Sequence, residues 1–220
     1  MGFSNLSPNW FFGWDVVLEL SFAFIVLFVS IFAFKIYKKS SQESVKLMSL
    51  SFLFISISYF IKSFFNFLII RNLNENICKI IKVRSIIIFD TYGILIHMFF
   101  MMIGLVILAF MTFKSRNFKI LWLMLIISLS GLFFSKNSIY VFYLFSSIYL
   151  IFISIHFIKN YLKNKQVKIL FIAIAFLFLL FGSIHFLFSV NYKLFYVLGH
   201  MLELIAYLLI LINLYLVLKK

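Results

Sequence analysis

His200, Glu203 and Tyr207 fall at i, i+3 and i+7 near the end of the chain. On a helix, an imidazole, a carboxylate and a phenol then project from one face. Three other sets keep helical spacing: Asp15 with Glu19 and Lys62 with Asn66 at i,i+4, and Asp90 with His97 at i,i+7. An imidazole beside a carboxylate can exchange protons, hold a small polar ligand or bind a metal. His97, His185, His200 and Glu203 form the candidate metal set, with donors that suit zinc or iron. The same histidines, paired across facing helices, can ligate a b-type haem. H-x-x-E is a short motif, and neither H-E-x-x-H nor C-x-x-C-H accompanies it, so no enzyme class is specified. A retinal Schiff base needs a lysine near mid-span. The last apolar run has lysines only at 219 and 220, and Lys62 is the sole buried candidate.

The elements that carry these residues are apolar runs of membrane-spanning length. The 220-residue chain is 65% hydrophobic, well above the roughly 45–50% of globular proteins. Seven runs approach the ~20 residues that a spanning helix needs: 10–34, 47–70, 86–113, 118–134, 139–158, 167–190 and 194–218. The expected fold is all-α, a single domain over 1–220, a seven-helix transmembrane bundle. The fourth run, at 17 residues, is the shortest. Ser135–Ser138 reads as a tight hairpin turn between two helices. Ser7 is expected as the N-cap of the first helix, with Pro8 in its first turn. "MGFSNLSPNW" holds no Lys or Arg, and Asp15 and Glu19 interrupt the run behind it, so a cleavable signal peptide is not expected. No repeat of 20–50 residues is visible.

The net charge of +14 does not imply nucleic-acid binding, because the basic residues sit in short clusters between the apolar runs. With the N-terminus outside, segments 35–46, 114–119, 159–168 and 219–220 carry thirteen of the 20 Lys and Arg, against six in the outer segments. Positive charge concentrates on the cytoplasmic side, which predicts an N-out, C-in, multi-pass protein of the cell membrane. One cysteine, Cys78, excludes a disulfide framework and Cys-rich metal sites.

Four of the six acids, Asp15, Glu19, Asp90 and Glu203, fall within the spans. A charge at the bilayer centre costs about 2.5–3.5 kcal/mol on insertion scales, so this placement calls for partners. At ~1.5 Å per residue, these acids, His97 and His200 lie roughly 6–16 Å below the outer boundary, and Lys62, Asn66 and His185 fall in the same half. His156, beside Lys159, reads as interfacial. The expectation is one outer-half polar cavity lined by Asp15, Glu19, Lys62, Asn66, Asp90, His97, His185, His200, Glu203 and Tyr207. The structural alternative is a set of fixed pairs, with Lys62 neutralising Glu19, Asp90 or Glu203.

The stretches "YVLGHMLELIAYLLILINLYLVLK" and "LSFLFISISYFIKSFFNFLI" resemble small, uncharacterised seven-helix archaeal membrane proteins, and the plan is similar to the seven-helix input modules of membrane sensors. The resemblance implies the architecture and transfers no site residue. A sensory or ligand-binding module in the bilayer fits the one-sided polar cluster best. Such a module needs a separate cytoplasmic output protein. A haem- or metal-binding protein and a transporter or proton relay are the alternatives.

Overall fold

The computed structural model describes residues 8, 10–11, 13–74, 79–113, 117–189 and 191–219, and the side chains of all of these except 70–74 and 79–90. The expectations placed on Ser7, Cys78 and the Asp90 side chain lie outside these. Seven helices follow in order: α1 (Trp14–Ser40), α2 (Glu43–Asn74), α3 (Lys79–Thr112), α4 (Phe118–Phe134), α5 (Ser138–Asn164), α6 (Val167–Ser189) and α7 (Leu194–Leu218). No strand occurs among the described residues. Continuous helix is what apolar runs with few Gly and Pro allow, since each backbone group is satisfied within its own segment. Six helices are long and apolar enough to cross a membrane. α4, at 17 residues, is not among them.

The ends have local causes. α1 begins at Trp14, later than the Ser7–Pro8 start expected from sequence. Phe11 N–H bonds Pro8 O at 2.9 Å in a turn, and Gly13 at φ 99° redirects the chain. Asp15 Oδ1 then accepts the Gly13 and Val16 N–H groups at 2.8 and 2.9 Å, which satisfies amides that a helix start leaves without partners. Two connectors share one design. Ser41 and Lys165 take the left-handed conformation and donate to Tyr37 O and Tyr161 O, and the following Gln42 and Gln166 carbonyls accept the first bonds of α2 and α6. The hairpin expected at Ser135–Ser138 is present, with α4 ending at Phe134 and α5 starting at Ser138.

Packing decides the architecture. Each long helix touches two neighbours: α1 lies on α2 and α7, α2 on α3, α3 on α5, α5 on α6, and α6 on α7. This closes a six-helix ring. α4 lies outside it, against α3 and α5 only. Serines fasten the crossings, as polar glue does between apolar helices. Ser30 and Ser49 bond each other's carbonyls at 2.8 and 2.9 Å, Ser56 donates to Ala23 O at 2.8 Å, and Ser51 donates to Gly104 O at 2.7 Å. Large apolar side chains cover the outside of the ring, including Phe24, Phe28, Ile151 and Ile212, and on α4 Trp122 and Phe134, the last 89% exposed. Apolar surface of this extent marks contact with lipid or a partner rather than water, and a multi-pass membrane protein accounts for it.

Candidate functional site

The buried ionisable side chains among the described residues lie toward one end of the ring, where α1, α3, α5 and α7 begin and α2 and α6 finish. Glu19 is fully buried on α1. Its Oε1 meets Lys62 Nζ at 2.9 Å and its Oε2 accepts from Asn66 Nδ2 at 2.8 Å. Lys62 and Asn66 reach it together because i,i+4 places them on one stripe of α2. Of the described acids that sequence offers to Lys62, Glu19 and Glu203, the fold pairs it with Glu19. Lys62 Nζ also stands 5.8 Å from the centre of the Tyr196 ring.

One helical turn deeper lies an internal cavity. Its polar wall comprises Tyr59, Lys62, His97, Tyr143, Ser146, Ser183, His200, Glu203 and Tyr207. Its floor is apolar, with Phe52 and Leu108 at the far end. It offers about 30 Å³ to the centres of water molecules, room for two or three at roughly 10–15 Å³ each. His97 Nδ1 donates to Ser58 O at 3.1 Å, and the ring rests against Tyr59 and Phe142. The Tyr59 and Tyr207 hydroxyls are 3.2 Å apart.

His200 is the least satisfied member. It is 1% exposed and enclosed by the rings of Phe11, Phe22, Phe186 and Tyr196. Its Nδ1 stands 3.5 Å from Glu203 Oε2, beyond a well-formed hydrogen bond. Neither ring nitrogen has a hydrogen-bond partner among the described residues, and Ser146 Oγ in the same cavity wall has none either. Buried polar atoms are normally bonded, to protein or to ordered water. Three such atoms beside a cavity with room for water make this a candidate polar site.

Several expected residues stand elsewhere. Asp15 is buried, but its Oδ1 serves its own helix start. His185 does not line the cavity. Its Nδ1 donates to Phe181 O at 2.7 Å, one turn back on α6, and its ring lies on Phe195. It is set off by about 100° per residue from the cavity-facing Phe186. The set His97, His185, His200 and Glu203 therefore does not assemble, and no group of three or more His, Cys, Asp or Glu side chains able to hold a metal occurs among the described residues. His156 bonds Asn160 Nδ2 at 2.9 Å, near the opposite end. Sequence reasoning missed Tyr59, Tyr143 and Tyr196. Tyr59 precedes Lys62 by three residues and Tyr196 precedes His200 by four, so helical spacing could have found both. Tyr143 has no ionisable neighbour in sequence to flag it. No family model, curated protein or solved structure matches the chain.

Proposed function

We propose that this chain is a multi-pass protein of the cell membrane, N-terminus outside and C-terminus inside, and that its bundle is a sensory module responding to protonation of the His200–Glu203 site. The observation that carries this reading is His200 itself, a buried imidazole with both nitrogens unpartnered, beside a carboxylate and a water-sized cavity. The groups facing the site are Tyr196, Glu203 and Tyr207 on α7, Tyr59 and Lys62 on α2, His97 on α3 and Tyr143 on α5, with Glu19 of α1 behind Lys62. α6 contributes Ser183 and the apolar Phe186. Adding a proton where no fixed hydrogen bond holds it changes the charge against α1, α2 and α6, and α7 carries the resulting shift toward the C-terminus. The output partner is a separate cytoplasmic protein. Space for two or three waters suits protons or a ligand of that size and favours this reading over a haem.

A variant keeping Trp14 but lacking Trp10 and Trp122 reports the response. Its fluorescence is expected to change between roughly pH 5 and pH 8, and His200→Gln or Glu203→Gln is expected to abolish the change while the protein stays folded. A flat parent signal rejects the sensing reading. Cysteine labelling at positions 5 and 219, with Cys78→Ser, tests the orientation, and labelling of 219 from outside intact cells would reverse it.

A further inference from the structure

The cavity at the His200 end has a counterpart. A second basin, about 520 Å³ by the same measure, opens near the other end of the ring, lined among others by Val45, Met48, Met111, Phe157 and Asn160. The two hollows use the same helix faces. On α2 the stripe Val45, Met48, Phe52, Ile55, Tyr59, Lys62 runs through both. On α5 Tyr143, Ser146 and Leu150 line the first, and Phe157 and Asn160 continue the stripe into the second. The hollows are separated by Met48 to Phe52 on α2 and by Leu108 to Met111 on α3. At ~1.5 Å per residue this is roughly 5–6 Å, and on α5 the gap from Leu150 to His156 is about 9 Å.

Apolar side chains lie between the hollows: Phe52 and Leu108 end the first cavity, and Ile153, Phe176 and Ile210 are fully buried in the same apolar core. Phe176 stacks on Phe157 of the second basin with ring centres 4.9 Å apart.

We propose that the axis of the ring is a proton-conducting path that joins the enclosed polar cavity to the second basin and is closed at rest by this apolar septum. Hydrophobic constrictions of this kind gate by excluding water. A proton taken up at His200–Glu203 from one side crosses when the septum wets and is released to water in the second basin. The membrane potential supplies the driving force, and a counter-ion balances the charge. The width of the first cavity restricts the cargo to protons on water. The inference uses the polar site as one end of the path and does not require that the site signals.

The test uses vesicles containing the full chain and an internal pH dye, with a potassium diffusion potential set by valinomycin. Phe176→Ala and Phe52→Ala are expected to acidify the lumen roughly tenfold faster than the parent or more, since shrinking an apolar gate favours its wetting. Adding His200→Gln and Glu203→Gln is expected to return the rate toward that of the parent. Phe181→Ala, on the outer face of α6, is expected to match the parent. Folded septum variants no faster than the parent, or equally permeable to sodium, overturn the path. Should both variants fail to fold, hydroxyl-radical labelling of the unaltered protein decides. Oxidation at Met101 and Met111, which line the two hollows, with Met102 protected, supports the path. Protection of Met101 equal to that of Met102, which is fully buried and lines neither hollow, overturns it. A flat Trp14 response combined with rapid flux rejects sensing alone, and the converse rejects the path alone.

Discussion

Removing Lys62 should expose how tightly the α1–α2 pair is coupled. Lys62 Nζ and Glu19 Oε1 are 2.9 Å apart, and the Glu19 side chain is inaccessible. At an effective dielectric of about 20 the gross attraction at that distance is roughly 6 kcal/mol. Desolvation of the two ions offsets much of it, so the net worth of the pair is small, but stripping away one partner leaves a buried charge and costs about 3–5 kcal/mol. Lys62→Met therefore should lose about 3–5 kcal/mol. For a chain of this size, at about 2–4 °C per kcal/mol, the midpoint in detergent should fall by roughly 6–20 °C. Glu19→Gln should cost less, because the Asn66 amide that donates to Oε2 at 2.8 Å can still donate to the substituted carbonyl. The Glu19→Gln/Lys62→Met double variant should recover most of the loss, because neutral groups of similar shape replace a buried pair with little penalty. The assay is a double-mutant cycle of thermal midpoints, read as the coupling between the two sites. Single losses that simply add in the double variant would show that the two charges do not interact, and the polar end of the ring would have to be rebuilt on different pairs.

Two glycines separate the ring from its peripheral helix. A Cβ at Gly104 would come within 2.6 Å of Ile55 Cγ1 and 2.9 Å of the Ser51 carbonyl, so Gly104→Ala should force α2 from α3 and lower stability by about 1–3 kcal/mol in thermal denaturation. At Gly131 on α4 the contact is the edge of the Phe145 ring, which can rotate, and the gain of roughly 1 kcal/mol in helix propensity should leave Gly131→Ala close to neutral. The purified protein should show no Soret band and no stoichiometric zinc or iron by absorbance and elemental analysis. A Soret band lost in His97→Ala or His200→Ala would instead establish a redox site.

Helix number was legible along the chain, because a backbone in lipid must satisfy its own hydrogen bonds and each apolar run can do so only as helix, whereas α1 and α5 run six residues beyond their apolar runs, to Ser40 and Asn164. α6 and α7 start at Val167 and Leu194, the positions at which their apolar runs begin. Lys62, His97, His200 and Glu203, placed in one half of the chain's helices by counting residues, line one cavity. The Trp14 start of α1 was not legible, because Gly13 set it by a backbone conformation that composition does not encode. Which faces turn inward was equally hidden. Side chains facing lipid and side chains facing the ring are both apolar, so Phe24 on the outside and Phe22 on the inside carry no distinguishing mark in sequence. Only packing could place α4 outside a six-helix ring, turn His185 away from the cavity, give Lys62 to Glu19, and bring the His200 cavity near a second hollow. Each of these depends on which helices are neighbours, and hydrophobicity along a single helix does not specify its neighbours when lipid and protein interior are alike to it.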